Sequence, residues 1–446
     1  MAQRAEQIVV TGGRPLQGTV RIPAAKNSVL PLIAASLLCT KPVRLRGVPR
    51  LSDVEACLAL VRSTGAKAGW QGSDVCVSGT PFCSTLPGQT AEQMRASILF
   101  CAPLLARLGR AETSLPGGCK IGARPVDLHL AGLAKMGAQE HPAGPGRLLL
   151  TAPSGLHGAE ITLRFPSVGA TETLLLAAAC ARGRTILRGA AREPEIADLA
   201  AFLNRCGGCI EGAGSSTIRI EGRRGLSGCC FSPLPDRIFA STLACGCAAA
   251  GGRVELTGCA PALYAPVLEI LGQMGCRVEP AGDTVRISRF ERLHGAGRVF
   301  TGAYPALATD AAPLLAAAML CADSESSIED VIFERRFGCA EGFCRLGAQA
   351  GTAGRVLTIA PGGHLCGTVV EAPDLRGGAA LVLAGLAARG TTVITHPAHI
   401  DRGYAGFTEI LAGLGAQIRR ESAPGNGSAK KTSAKKQICL AIGAKR

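Results

Sequence analysis

Residues 115–129 read LPGGCKIGARPVDLH. One thiol, Cys119, lies between a glycine pair and two cations, Lys120 and Arg124. Nearby positive charge lowers a thiol's pKa and favours the thiolate, the form that attacks an electrophile. A thiol so placed can also deliver a proton, while the two cations suit a phosphate or carboxylate. Glycines on both sides allow the loop to swing over a bound ligand and exclude water. Cysteine alone is a weak signal, because the chain has 20. Most sit in apolar strings such as LAAACARG, TLACGCAAA and SLLCT, where they act as small hydrophobes and stay reduced.

A second set of chemically capable residues stands where helices are predicted to begin. Lys26 and Asn27, Arg95, Ser167 with Val168 and Gly169, Asp236 with Arg237, Asp310, and Arg376 each open an apolar segment. A helix N-terminus offers free N–H groups and partial positive charge, so it suits phosphate. Singly, each of these residues reads as a helix cap or a solvated charge. Asp236, for example, can cap its helix and pair with Arg237. At equivalent positions of a repeat they would line one cleft.

That repeat is visible. A glycine followed by a small residue ends an amphipathic segment in RSTGAKA, AKMGAQE, NRCGGCI, GQMGCRV, CRLGAQA and AGLGAQI. The glycines are 65, 137, 207, 275, 347 and 415, so the spacings are 72, 70, 68, 72 and 68 residues. Each copy reads as helix, strand, helix and hairpin, with the glycine as a left-handed C-cap. Six βαβαββ units predict an α/β fold of two domains with three units each. One domain spans 25–235 and carries the Cys119 loop. The other joins 236–446 to the N-terminal strands of 1–24. The chain would cross at SPLPDR (232–237) and near PAAKN (23–27), and paired linkers allow the domains to close on a ligand. In the sixth copy a basic turn is predicted to return through QICLAI (437–442).

Composition narrows the functional classes. The net charge of +15 favours anionic partners, and the stretch from Arg419 onward holds eight basic residues against one acid. Only 4% of residues are aromatic, which disfavours base stacking and hence nucleic acid. Uninterrupted apolar runs are too short for a membrane span. The opening MAQRAEQIVVTGG lacks the apolar core of a signal peptide, so a cytoplasmic location is expected. Cysteines and histidines lack metal-site spacing.

The sequence resembles the enolpyruvyl transferases, and among them the branch acting on UDP-N-acetylglucosamine. The resemblance runs nearly end to end and rests on AAKN, MRAS, LPGGCKIGARPVDLH, SVGATE, AAREPEI, LPDRI, the TD of copy five, FERRF, DLR and HIDRGY. It implies two inside-out α/β barrels with the active site in the cleft between them. It also implies transfer of the enolpyruvyl group of phosphoenolpyruvate to a sugar 3′-hydroxyl through a tetrahedral ketal, for peptidoglycan synthesis. No metal or organic cofactor is implied. By the resemblance, Cys119 protonates phosphoenolpyruvate, forms an adduct with it and is alkylated by fosfomycin. Lys26, Arg124 and Arg402 clamp the phosphate and carboxylate, with Arg95 and Arg376 in support. Asp310 takes the hydroxyl proton and Asp374 assists proton movement. Asn27 touches the sugar. Pro125, Val126, Asp127 and Leu128, with Ser167, Val168 and Gly169, hold uridine and diphosphate. Ile332 and Phe333 shape the sugar pocket, and Glu193 faces Cys119 or orders its loop. His129 is either ligand-facing or an ordinary hydrogen-bonded residue.

Two departures from the family pattern stand out. The stretch around Asp310 reads YPALATDAAPLL, where the family usually has an aromatic–proline pair directly before TD and glutamines after it. Phe165 and Pro166 stand where part of the family has lysine. A diverged paralogue with another acceptor, such as shikimate phosphate, and a non-catalytic anion- or nucleic-acid-binding relative are the alternatives.

Overall fold

The computed structural model describes residues 6–115, 121–122 and 125–422. The six repeat glycines have φ values of 90°, 94°, 97°, 101°, 97° and 92° in chain order. A side chain rarely adopts that backbone, so glycine recurs there for a physical reason.

Among the described residues the strands form six separate sheets, five of four strands and one of three. The third unit shows the pattern. Strand Glu160–Thr162 runs parallel to Arg184–Arg188, which pairs antiparallel with Thr217–Glu221, which in turn pairs with Cys209–Glu211. Helix Val168–Ala179 joins the first two strands and helix Pro194–Arg205 precedes the hairpin. The fifth unit repeats this order with Gly297–Phe300, Ser326–Glu329, Val356–Ala360 and Gln349–Ala353. In the second unit the outer strand shrinks to a single parallel bridge between Thr85 and Glu112.

Three sheets borrow strands from distant sequence. Cys230–Phe231 runs parallel to Val43–Leu45 of the first unit. Leu16–Arg21 runs parallel to Gly252–Thr257 of the fourth. Glu6–Thr11 lies between Thr391–Thr395 and Gln417–Ser422 of the sixth, antiparallel to both. In that sheet the N-terminal strand takes the position, between the second strand and the outer one, that a returning hairpin strand takes in the third and fifth units. Residues 437–442 themselves lie outside the described residues, as does the basic turn before them.

The buried apolar residues form two cores. One gathers Val29 through Leu226. The other joins Ile8, Val10, Leu16 and Ile22 to residues from Ile238 to Ile418. At the centre of the second, helices Arg237–Ala250, Ala312–Met319 and Leu375–Ala387 pack on one another. These helices are buried on nearly every face, which explains their near-continuous alanine and leucine: a helix with no wet side needs no polar stripe.

Candidate active site

Helix Lys26–Ala35 begins with a lysine that does not face open water. Lys26 Nζ lies 2.6 Å from Asp53 Oδ2, and Arg402 Nε lies 3.0 Å from Asp53 Oδ1. Arg402 Nη2 also donates to the Gln93 carbonyl at 3.2 Å. Arg402 belongs to the sixth unit, and Asp53 and Gln93 to the first and second, so these bonds join the two halves of the chain. Burial lowers the Lys26 pKa; Asp53 offsets part of that, and the charges of Arg376 and Arg402 add to it. Burial works to raise Asp53, but Lys26 and Arg402 outweigh it and hold the carboxyl below its usual range. Asn27, next in the helix, is exposed.

Asp310 is the hub of a second cluster. Arg336 Nη2 donates to its Oδ1 at 3.0 Å, and Arg376 Nε and Nη2 donate to its Oδ2 at 3.1 and 3.0 Å. Both arginine side chains are almost fully buried, at 2% and 3% exposure. Arg336 also donates to the Thr309 carbonyl, which fixes the turn that carries Asp310. The Arg376 guanidinium lies 5.1 Å from the Tyr404 ring centroid, and its Nη1 is buried with no hydrogen-bond partner among the described residues. Asp374 caps helix Leu375–Ala387: its Oδ1 accepts from the amides of Arg376 and Gly377 at 2.9 and 3.0 Å.

Across both clusters, four cations (Lys26, Arg402, Arg336, Arg376) contact two carboxylates (Asp53, Asp310). Lys26, Arg336 and Arg376 are at most 12% exposed and Arg402 is 37% exposed, and positive charge in such excess at low exposure is costly unless an anion joins it.

A third group forms around the described end of the cysteine loop. Arg95 Nη2 donates to the Pro125 carbonyl at 3.1 Å. Val126 precedes helix Asp127–Lys135, and Asp127 pairs with Arg164. Leu128 and His129 are buried; His129 Nδ1 lies 2.8 Å from Thr173 Oγ1, and burial followed by the Arg95 charge lowers its pKa to about 4. That makes His129 a neutral, hydrogen-bonded residue at neutral pH. Ser167 caps helix Val168–Ala179 by accepting from the Ala170 amide at 3.4 Å. A Cβ on Gly169 would stand 3.1 Å from the His129 ring. Cys119, Lys120 and Arg124 lie outside the described residues.

Next to the Asp310 cluster, the Ile332 and Phe333 amides donate to Asp330 Oδ1 at 2.9 and 2.7 Å, and Asp330 Oδ2 accepts from Thr309. Ile332 is 41% exposed. The Arg335 amide donates to the Ile121 carbonyl at 2.9 Å, so the segment just after the loop touches FERRF. Glu193 is raised by burial first, and its carboxylate accepts from the Tyr304 backbone. Of the two roles that the sequence allows Asp236, the cap forms and the pairing with Arg237 does not. Asp236 caps its helix, but Arg237 turns to Glu195, Nε to Oε1 at 3.0 Å, in a buried bridge between the two cores. A carboxylate already committed to two backbone amides is the poorer partner for a guanidinium fork.

Residues 10–411 match the family model described as EPSP synthase (3-phosphoshikimate 1-carboxyvinyltransferase). The chain belongs to the EPSP synthase family. A relative from Finegoldia magna named UDP-N-acetylglucosamine 1-carboxyvinyltransferase is 42% identical over 419 residues, covering 93% of this chain and 99% of its own length. One of the same name from Acidiphilium cryptum is 43% identical over 416 residues, with the same coverage. Among solved structures, the enolpyruvyl transferase NikO from Streptomyces tendae aligns with a TM-score of 0.83 at 27% identity, covering 95% of this chain and all of that one. EPSP synthase from Acinetobacter baumannii shares the α/β fold, with a TM-score of 0.73 at 20% identity over 93% of this chain and 99% of that one.

In this EPSP synthase-family chain, sequence reasoning missed Asp53, Asp330 and Arg336. Asp53 reads as an ordinary acid in the first turn of helix Ser52–Ser63. Arg336 stands within FERRF, one of the motifs that carry the family resemblance, and only its flanking apolar residues drew attention. The arginine pair in that motif was the available signal.

Proposed function

We propose that the chain transfers the enolpyruvyl group of phosphoenolpyruvate to the 3′-hydroxyl of UDP-N-acetylglucosamine, releasing phosphate for peptidoglycan synthesis. The relatives at 42–43% identity carry that activity in their names. The observation that carries the reading to this chain is the Lys26–Asp53–Arg402 triangle with Arg376 close by, an excess of cation suited to a substrate bearing both phosphate and carboxylate.

We read the two cores as two inside-out barrels, 25–235 and 236–446 with 1–24, the linkers lying side by side. The backbone bond from Ala25 to the Leu234 carbonyl supports that placement of the crossings. In this reading Arg402, Arg237 and Arg335 hold the domains together through the contacts described above, and the substrates bind in the cleft.

The chemistry then assigns each group a task. Cys119 delivers a proton to C3 of phosphoenolpyruvate, and the 3′-hydroxyl adds to C2 as Asp310 accepts its proton. A C3 proton then returns to the Cys119 thiolate as the carbon–oxygen bond to phosphate breaks, and phosphate and the enol ether are released. Arg336 and Arg376 orient Asp310 by holding one oxygen each, leaving the outer lone pairs for the hydroxyl. Asp374 has one oxygen tied to the helix and can pass a proton only through the other. Arg124 joins Lys26 and Arg402 on the anion, and Arg95, Pro125 to Leu128 and Ser167 to Gly169 hold the nucleotide. Asn27, Ile332 and Phe333 meet the sugar.

Phosphate release from phosphoenolpyruvate, measured with UDP-N-acetylglucosamine and separately with shikimate 3-phosphate, tests the proposal. Release is expected with the sugar nucleotide alone. Release only with shikimate 3-phosphate, or with neither, would overturn it.

A further inference from the structure

The sulfurs of Cys206 and Cys229 lie 3.3 Å apart. Cys206 ends helix Pro194–Arg205 and is 1% exposed, whereas Cys229, just before strand Cys230–Phe231, is partly open to solvent. Their backbones are fixed. The Ser227 amide donates to the Cys206 carbonyl at 2.7 Å, and the Arg44 amide donates to the Cys229 carbonyl at 2.9 Å. A third thiol, Cys39, is buried and within hydrogen-bonding reach of Cys206. The contact is closer than packing two small hydrophobes requires, and joining the sulfurs needs an approach of only about 1 Å.

We propose that Cys206 and Cys229 form a reversible disulfide by exchange with a low-molecular-weight disulfide. Cys229, the more accessible thiol, loses its proton to solvent and attacks the small disulfide. A mixed disulfide forms and one small thiolate leaves. Cys206 then gives up its proton and displaces the second small thiolate. Two protein thiols are oxidised, one small disulfide is reduced to two thiols, and no other co-reactant is needed. Burial, with Cys206 alongside, pushes Cys229 up to about 12. The first step is therefore slow near neutral pH and quickens about tenfold per pH unit on the way up. The pair stays reduced at rest and closes under oxidising load. The new bond would pin the chain between Leu226, the end of one core, and Ile238, where the other resumes.

The full-length protein is incubated with oxidised glutathione at pH 8, quenched with N-ethylmaleimide and digested with trypsin without reduction. Residues 206–219 and 225–237 are tryptic peptides; fragmentation distinguishes Cys206 from Cys209 and Cys229 from Cys230. The expected product links Cys206 to Cys229 and is cleared by dithiothreitol. In Cys206→Ala, Cys229 is expected to persist as its glutathione adduct. Overturning results are a stable Cys229 adduct in the unaltered protein, a dominant Cys39–Cys206 or Cys229–Cys230 link, or no reaction at either sulfur. The unaltered protein alone decides the matter if Cys206→Ala fails to fold.

Discussion

Arg402 and Asp53 are 349 residues apart in sequence, and Arg402 Nε lies 3.0 Å from the Asp53 carboxylate. That carboxylate also holds Lys26 at 2.6 Å. Asp53→Asn keeps the size of the side chain and removes the charge between the two cations. The expected loss is about 2 kcal/mol, between the small value of an exposed pair and the 3–5 kcal/mol of a fully buried one, because Arg402 keeps partial exposure. Its pH signature follows from the lowered Asp53 pKa. The stabilisation is present above the ordinary carboxylate value of about 3.9 and is lost as pH falls through the lower folded value. Denaturant titrations should show the gap between parent and variant closing in acid; a gap unchanged down to pH 2 would remove Asp53 from this role.

Arg402 itself separates charge from geometry. Arg402→Lys keeps a cation but not the planar fork that engages Asp53 and leaves donors for an anion. Loss of a charge-assisted hydrogen bond is worth about 1.5–3 kcal/mol, or roughly a 10- to 100-fold rise in KM for phosphoenolpyruvate. The KM for UDP-N-acetylglucosamine should move far less. Steady-state kinetics with each substrate varied in turn gives the split, and an effect confined to the sugar nucleotide would place Arg402 elsewhere.

His129 supplies a pH dependence of its own. Its folded pKa of about 4 is lowered by burial and then by Arg95, whereas the unfolded side chain titrates near 6.5. Between those values the unfolded chain binds the extra proton, so stability falls as pH drops, by at most about 1.4 kcal/mol per pH unit. Unfolding free energies from pH 7 to 4.5 should decline less steeply in His129→Gln than in the parent. Parallel slopes would show that His129 is not the titrating group.

Cys119 is the residue on which chemistry and the family resemblance agree. A serine hydroxyl stays protonated where a thiol ionises, so Cys119→Ser should lose time-dependent inactivation by fosfomycin. Incubation of enzyme with the epoxide, dilution and assay of residual transfer, or of covalent mass where transfer is lost, reads this out. Continued modification of the variant would transfer the reactive role to another of the cysteines.

The repeat was legible because a left-handed C-cap selects glycine at every copy, from Gly65 to Gly415, whatever surrounds it. The helix starts were legible for a similar reason: Ser167, Asp236 and Asp374 act as caps, and a cap has a narrow choice of residues. Strand partnership was harder. Cys230–Phe231 is two residues long, too short to carry an alternating pattern, and the IVV of Glu6–Thr11 would fit any apolar sheet face. Charge partners were the least legible. Asp53 looks like any acid in a first turn, and only long-range folding brings Lys26 and Arg402 to it. For the same reason Arg237 meets Glu195 rather than its sequence neighbour.

The borrowed strand leads to a prediction about the basic C-terminal stretch. In the third and fifth units a fourth strand returns between the second and third. In the sixth unit Glu6–Thr11 takes that position, with Ile8 and Val10 fully buried beneath it and both its edges hydrogen-bonded. Among the described residues, all four strands of that sheet are in place by Ser422. A chain ending at Ser422 should melt within a few degrees of the parent and keep its turnover, and removal of 429–436 alone should do no more. Deleting residues 1–11 should instead unfold the sixth unit, because two ladders lose their shared strand and three buried side chains, Ile8, Val9 and Val10, go with it. Thermal melts and phosphate-release assays on the three variants test this; collapse of the chain ending at Ser422 would show that the N-terminal strand does not suffice for that sheet.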